Sequence, residues 1–199
     1  MLPTGSQGDP DNDYPERLVI PNVFYVKDGG VAFRTRADGF HSANSQYPRT
    51  ELREMVDDDW SKAVWTNKTG THSLELTEAI TALPTVKPHV VSAQIHSGSD
   101  DVLQIRLEGK RLMVMYKDGQ ATETLDDSYV LGTKFDVKIV AADSRIKVFY
   151  NGSQKADLAV SGSGWFWKAG CYLQSNVSKG DKPDAFGEVV IYRMKVSHA

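Results

Sequence analysis

The chain has 199 residues, 40% of them hydrophobic and 25% charged, with a formal net charge of -3. That length accommodates one domain with a sizeable core, and the composition is ordinary for a soluble globular protein. The acidic balance argues against a nucleic-acid partner, no apolar run is long enough to span a membrane, and a single cysteine, Cys171, excludes an intrachain disulfide. An anionic ligand would have to be held by local basic residues rather than by a global field.

Residues 1–16 are rich in Gly, Pro, Asp and Asn and read as a flexible N-terminal arm. No signal peptide is visible, because Met1-Leu2-Pro3-Thr4-Gly5 leads straight into polar sequence. Residues 17–199 read as a single domain of short, alternating strands separated by turn signals. Val23–Val26 and Val31–Thr35 flank Asp28-Gly29-Gly30, a hairpin signature. His41–Pro48 reads as a loop, Arg49–Val56 as a strand and Asp57-Asp58-Asp59 as a turn. Ala63–Thr66, Ser73–Ile80, Val90–His96, Val102–Leu107 and Leu112–Tyr116 follow as strands, then Lys134–Ala141, Ile146–Tyr150 and Gln154–Val160. Trp165–Gln174 and Glu188–Val196 complete the set, with a polar loop at Ser175–Phe186. No long helical period interrupts them. This spacing predicts an all-β jelly-roll sandwich of two antiparallel sheets with a concave substrate groove.

Three of these strands have a clean apolar face and an opposite face bearing long functional groups. Arg49, Glu51 and Arg53 alternate with Leu52; Gln94 and His96 alternate with Ala93 and Ile95. In the third strand, Lys168, Gly170, Tyr172 and Gln174 alternate with Trp167, Ala169, Cys171 and Leu173. Cys171 falls on the apolar face and reads as a small core residue. Alone, each polar face could be a solvated surface ladder. Side by side they would gather two guanidiniums, an imidazole, a phenol, an ammonium and two amides in one groove. Glu51 is expected to pair with its Arg neighbours, and Gly170 to leave a gap where a sugar could approach. His41, His72, His89 and His198 show no metal-ligand spacing, and no metal or cofactor is called for.

Such a set suits β-elimination on a uronic acid. Arg49 and Gln94 could neutralise the uronate carboxylate, His96 or Tyr172 could take the C5 proton, and Tyr172 could protonate the departing O4. Glu51 is the only acid on these faces, so the carboxylate pair of a glycoside hydrolase is missing. A non-catalytic carbohydrate-binding β-sandwich would need the Arg, Lys and Gln groups but no proton-transfer pair.

The segments Arg49-Thr50-Glu51-Leu52-Arg53-Glu54, Gln94-Ile95-His96 and Trp167-Lys168-Ala169-Gly170-Cys171-Tyr172-Leu173-Gln174 resemble, in order and spacing, the three signature segments of alginate lyases of polysaccharide lyase family 7. Two departures are Leu173, where the family commonly has Asn, and Trp167, where a Phe or Tyr often stands. The resemblance implies cleavage of 1,4-linked mannuronate and guluronate, with Arg49 and Gln94 as carboxylate neutralisers, His96 as base and Tyr172 as acid. It also implies substrate-binding roles for Glu51, Arg53, Lys168 and Gln174. The partner is then an anionic polysaccharide, alginate or a related polyuronate such as glucuronan. Ile95 loosely implies a preference for guluronate-containing blocks. A secreted, monomeric protein is expected, with the loops at His41–Pro48 and Ser175–Phe186 as groove walls.

Overall fold

The computed structural model describes residues 2–4, 20–41, 45–56, 61–117 and 119–199. The expected turn at Asp57-Asp58-Asp59, all but Leu2–Thr4 of the N-terminal arm, and residues 42–44 of the expected loop lie outside the described residues. The strands are β1 (Leu2–Thr4), β2 (Phe24–Lys27), β3 (Gly30–Arg36), β4 (Arg49–Arg53), β5 (Trp65–Thr66), β6 (Thr71–Ala82), β7 (His89–His96) and β8 (Asp101–Glu108). They continue as β9 (Arg111–Tyr116), β10 (Ala121–Asp126), β11 (Phe135–Ala142), β12 (Arg145–Tyr150), β13 (Ser153–Leu158), β14 (Ser163–Leu173) and β15 (Phe186–His198). Among the described residues the only helical element is a single 3-10 turn at Val177–Lys179, and no helix is long and apolar enough to cross a membrane.

Two antiparallel sheets form. One runs β1-β4-β14-β7-β8-β9-β10, with β5 also pairing β14; the other runs β13-β12-β11-β6-β15-β3-β2. The all-β, two-sheet architecture read from the sequence is the one observed. Alternation decides which side chains meet between the sheets. On β11, Phe135, Val137, Ile139 and Ala141 are buried while Asp136 and Lys138 face out. The tight hairpins sit where the turn chemistry placed them: Asn151 and Gly152 both take positive φ, as do Asp28 and Gly29, which suits tight turns between right-twisted strands.

The core is continuous across both sheets. Under β14 it is aromatic: the Trp65 ring lies 4.9 Å from that of Trp167 and 5.7 Å from that of Trp165, the latter edge-on. Truncating one such ring to Ala would cost about 3–5 kcal/mol, so this packing is what holds the middle of the first sheet in place. Cys171 lies in the same core; burial pushes its thiol up to about 12, which leaves it chemically inert.

The sequence reading missed two strands, β1, which pairs β4 from within the expected arm, and β10, and it lengthened others. Strand β10 buries only Leu125, so at the sheet edge it carries almost no apolar alternation. Ala63–Thr66 shortens to Trp65–Thr66 because Val64 is exposed rather than packed.

Candidate active site

Strand β14 lies between β4 and β7, so the three polar faces are adjacent. Lys168 sits opposite Arg53 on one side and Gln94 on the other, and Tyr172 opposite Arg49. The register with β4 is unbroken, but against β7 it slips between Ala169 and Tyr172. One extra residue on β14 is thereby accommodated, and such a bulge re-aims the side chains beyond it. Gly170 is part of this irregularity, with φ of +141°. A side chain there would meet Thr50 O at 2.5 Å and Glu51 Cα at 2.8 Å. The expected gap for a sugar is therefore a close approach of two backbones, and it is β4 that Gly170 accommodates.

Arg49, Gln94, His96 and Tyr172 line one cleft of about 500 Å³ together with Ser45 and residues 98–101. Two clefts of similar size lie elsewhere. One is on the outer face of the second sheet around Glu75, Lys138 and Arg193; the other is beside Glu54, Trp65 and His198. Neither combines a cationic neutraliser with an imidazole and a phenol.

Beneath the cleft floor, Glu51 is fully buried and Lys168 only 6% exposed. Glu51 does not pair primarily with its Arg neighbours, as its alternation with them suggested. Its Oε2 accepts from Lys168 Nζ at 2.6 Å and its Oε1 from Gln94 Nε2 at 2.5 Å, while Arg49 Nη1 stands 4.0 Å away. Burial raises the Glu51 carboxyl, but the Lys168 and Arg49 charges and its two hydrogen bonds outweigh that and hold it below the usual range. Burial lowers the Lys168 ammonium, opposed by Glu51. This ion pair therefore forms the floor, and its burial keeps both partners from being surface contacts. It also fixes the Gln94 amide: with one N–H on Glu51, the buried Gln94 Oε1 has no partner among the described residues.

His96 is the most informative member. Its Nδ1 donates to the Ser97 carbonyl, which sets the tautomer and leaves Nε2 with a lone pair. Burial, helped by the Lys168 charge, lowers its pKa below the ordinary histidine value, against an opposing push from its bond to Ser97. The ring stacks on Phe166 at 5.3 Å, and Arg53 Cζ covers the same Phe166 ring at 3.4 Å. Arg53 is thus held away from Glu51 by an aromatic face. On the far side, the Arg49 guanidinium sits 4.1 Å from the centre of the Tyr172 ring.

Gln174 is not brought into this group. It follows the end of β14, is buried, and accepts from Arg106 Nη1 at 3.1 Å while donating to the Leu173 carbonyl. Ile95 is fully buried in the core and does not line the cleft. Ser45 lies in the expected His41–Pro48 wall, although no role was read for it, and the wall formed by Gly98, Ser99, Asp100 and Asp101 escaped the sequence reading. A signal for the wall was present, since Ser97-Gly98-Ser99-Asp100-Asp101 is a turn directly after His96. Of the expected walls, the stretch after β14 contributes through Asn176, which donates to the Gln46 carbonyl and so braces the turn carrying Ser45.

The family model described as Alginate lyase matches residues 1–198. The chain belongs to the alginate lyase family. Among solved structures it is similar to "Alginate lyase AlgAT5 from Polysaccharide Lyase family 7", at 44% identity and a TM-score of 0.95, covering 99% of this chain and 93% of that one. An alginate lyase from Corynebacterium sp. is 39% identical with a TM-score of 0.91, covering 100% of this chain and 92% of that one. A more distant relative is the family 7 alginate lyase A1-II' in complex with substrate (GGMG), at 26% identity and a TM-score of 0.79, covering 91% and 83%. A search of the curated proteins returns no match. These relatives share the jelly-roll sandwich, so family and fold agree with the reading of the three signature segments.

Proposed function

We propose that this alginate lyase cleaves 1,4-linked uronate polymer by β-elimination in the cleft between β4, β14 and β7. The observation that carries the reading is the state of His96. Its Nδ1 proton is committed to Ser97, its pKa is lowered by burial, and its Nε2 shares a cleft with Arg49, Gln94 and Tyr172.

The substrate carboxylate binds Arg49 and the remaining Gln94 N–H, which together stabilise charge delocalised from C5. His96 Nε2 removes the C5 proton. The C5 electron pair forms the C4–C5 double bond, the C4–O4 bond breaks, and Tyr172 delivers its phenolic proton to O4. Products are a new reducing end and a 4,5-unsaturated uronate. Solvent returns the proton from His96 to Tyr172 to close the cycle. Glu51 and Lys168 act from below by orienting Gln94, and Arg53 contacts polymer beyond Phe166. Support for the His and Tyr roles comes from the substrate-bound A1-II' structure, which carries a His-to-Asn and a Tyr-to-Phe replacement. The enzyme is read as a secreted monomer that favours guluronate-containing blocks.

Alginate and glucuronan assayed side by side, through the near-ultraviolet absorbance of the unsaturated product, test this reading. A rise on alginate that exceeds the rise on glucuronan is expected. Polymer binding without any rise on either would identify a carbohydrate-binding module instead.

A further inference from the structure

Ser45 connects two of the four residues above without being one of them. Its Oγ accepts from Arg49 Nη2 and lies 3.5 Å from the Tyr172 hydroxyl, while Arg49 Cζ sits 4.1 Å over the Tyr172 ring. The hydroxyl is anchored to its own backbone: it donates to the Tyr47 carbonyl at 3.1 Å, and the Tyr47 N–H donates back at 3.4 Å. Such local turns hold a serine side chain in one rotamer. The turn itself is braced on both flanks. Asn176 Nδ2 donates to Gln46 O at 2.8 Å, and Lys87 Nζ donates to the Tyr47 hydroxyl at 3.1 Å.

A serine hydroxyl has one proton and two lone pairs. In the resting arrangement the proton belongs to Tyr47 O, so towards Arg49 and Tyr172 the oxygen offers only acceptor character. The two lone pairs are shared among Arg49 Nη2, the long Tyr47 N–H contact and the Tyr172 hydroxyl at 3.5 Å, which Ser45 faces as an acceptor in this arrangement. Once Tyr172 has passed its proton to O4, a phenolate remains beside the same oxygen. Rotation about the Ser45 Cβ–Oγ bond moves the hydroxyl proton from Tyr47 O to that phenolate, giving a charge-assisted hydrogen bond. No atom leaves Ser45 in this step; only the direction of one O–H changes.

We propose that Ser45 is a positioning residue for the elimination: it holds Arg49 and Tyr172 as one unit, and it supplies the hydrogen bond that stabilises the Tyr172 phenolate after O4 is protonated. This inference rests on the reading of Tyr172 as the acid. It is tested with Ser45→Ala, Ser45→Thr and Tyr172→Phe in the full chain. The readouts are kcat and KM on alginate and the thermal midpoint. Ser45→Ala should lower kcat about tenfold, the worth of one hydrogen bond, with a smaller rise in KM. Ser45→Thr should restore both, and the thermal midpoint should stay put in either variant. An inactive Tyr172→Phe alongside a Ser45→Ala with wild-type kcat would overturn the role of Ser45. Full activity in Tyr172→Phe would instead remove the reading on which it depends.

Discussion

Among the described residues, two places assemble a carboxylate, imidazole and aromatic rings, and they differ in how many polar atoms remain uncommitted. Beside the cleft of about 590 Å³ near the chain's end, Glu54 Oε2 accepts from Trp65 Nε1 and from the Trp167 N–H, both at 2.9 Å, while its Oε1 bonds His198 Nε2 at 2.5 Å. His198 Nδ1 meets His72 Nδ1 at 2.6 Å, and His72 Nε2 faces the carbonyls of Thr66 and Thr69. Every ring nitrogen and both carboxylate oxygens are engaged. This is a clasp that ties the end of β15 and β6 to the strands carrying the active site. In the catalytic cleft, by contrast, His96 keeps Nε2 and Gln94 keeps a buried carbonyl oxygen without partners among the described residues. Polar groups whose hydrogen bonds are complete hold structure, whereas groups left incomplete in a cleft are available to a substrate.

The largest expected contrast is between the two imidazoles. His96→Ala should reduce turnover on alginate by about 10²–10⁴, the usual worth of a positioned acid or base, whereas His198→Ala should leave kcat within about twofold of wild type. Steady-state absorbance assays on both variants check this. Because burial lowers the His96 pKa, its base form persists on the acid side of the ordinary histidine value of 6.5. The acid limb of kcat/KM should therefore fall below that value, and a limb above it would break the assignment.

Next comes the floor. Glu51→Gln leaves Lys168 buried without its counter-charge, and breaking such a pair costs about 3–5 kcal/mol of stability. Chemical denaturation should show this loss, accompanied by a fall in kcat as Gln94 loses its fixed orientation.

Glu78 supplies a third buried carboxyl and sharpens the comparison, since it accepts from Ser92 Oγ at 2.7 Å and its Oε2 has no partner among the described residues. Burial pushes its pKa up to about 7 from 4.5, with the Ser92 bond opposing. Between those values the unfolded chain has already released the proton that the folded chain retains. Stability therefore falls as pH rises through that window and levels off above about 7, by an amount on the order of 3 kcal/mol. Glu78→Gln should abolish the dependence, so its thermal midpoint should gain on that of wild type as pH rises from 4.5 to 7. The smallest effect belongs to the clasp: His198→Ala should cost about 1–2 kcal/mol by denaturant titration.

Alternation was enough to read the strands and to sort their faces, because a period of two survives even where one face is functional. It could not report depth. Arg49, Glu51 and Arg53 share one face and one spacing, yet Glu51 is fully buried while Arg49 and Arg53 keep some exposure, because Lys168 of the neighbouring strand β14 and Gln94 of β7 reach across to it. Nor could it give the partners of Arg53, which depend on where Phe166 lies across the strand pair. The His72–His198 contact joins residues 126 positions apart, and no local pattern marks either one. Ser45 is equally silent, since a serine in a polar loop acquires meaning only from the Arg and Tyr that fold beside it.

The account turns on Tyr172 as the proton donor to O4. Tyr172→Phe keeps the ring beneath Arg49 and removes only the hydroxyl. Measured in parallel for polymer binding and for the absorbance of unsaturated product, it should bind alginate with near wild-type affinity and yield no detectable product. Undiminished absorbance from this variant would contradict the account.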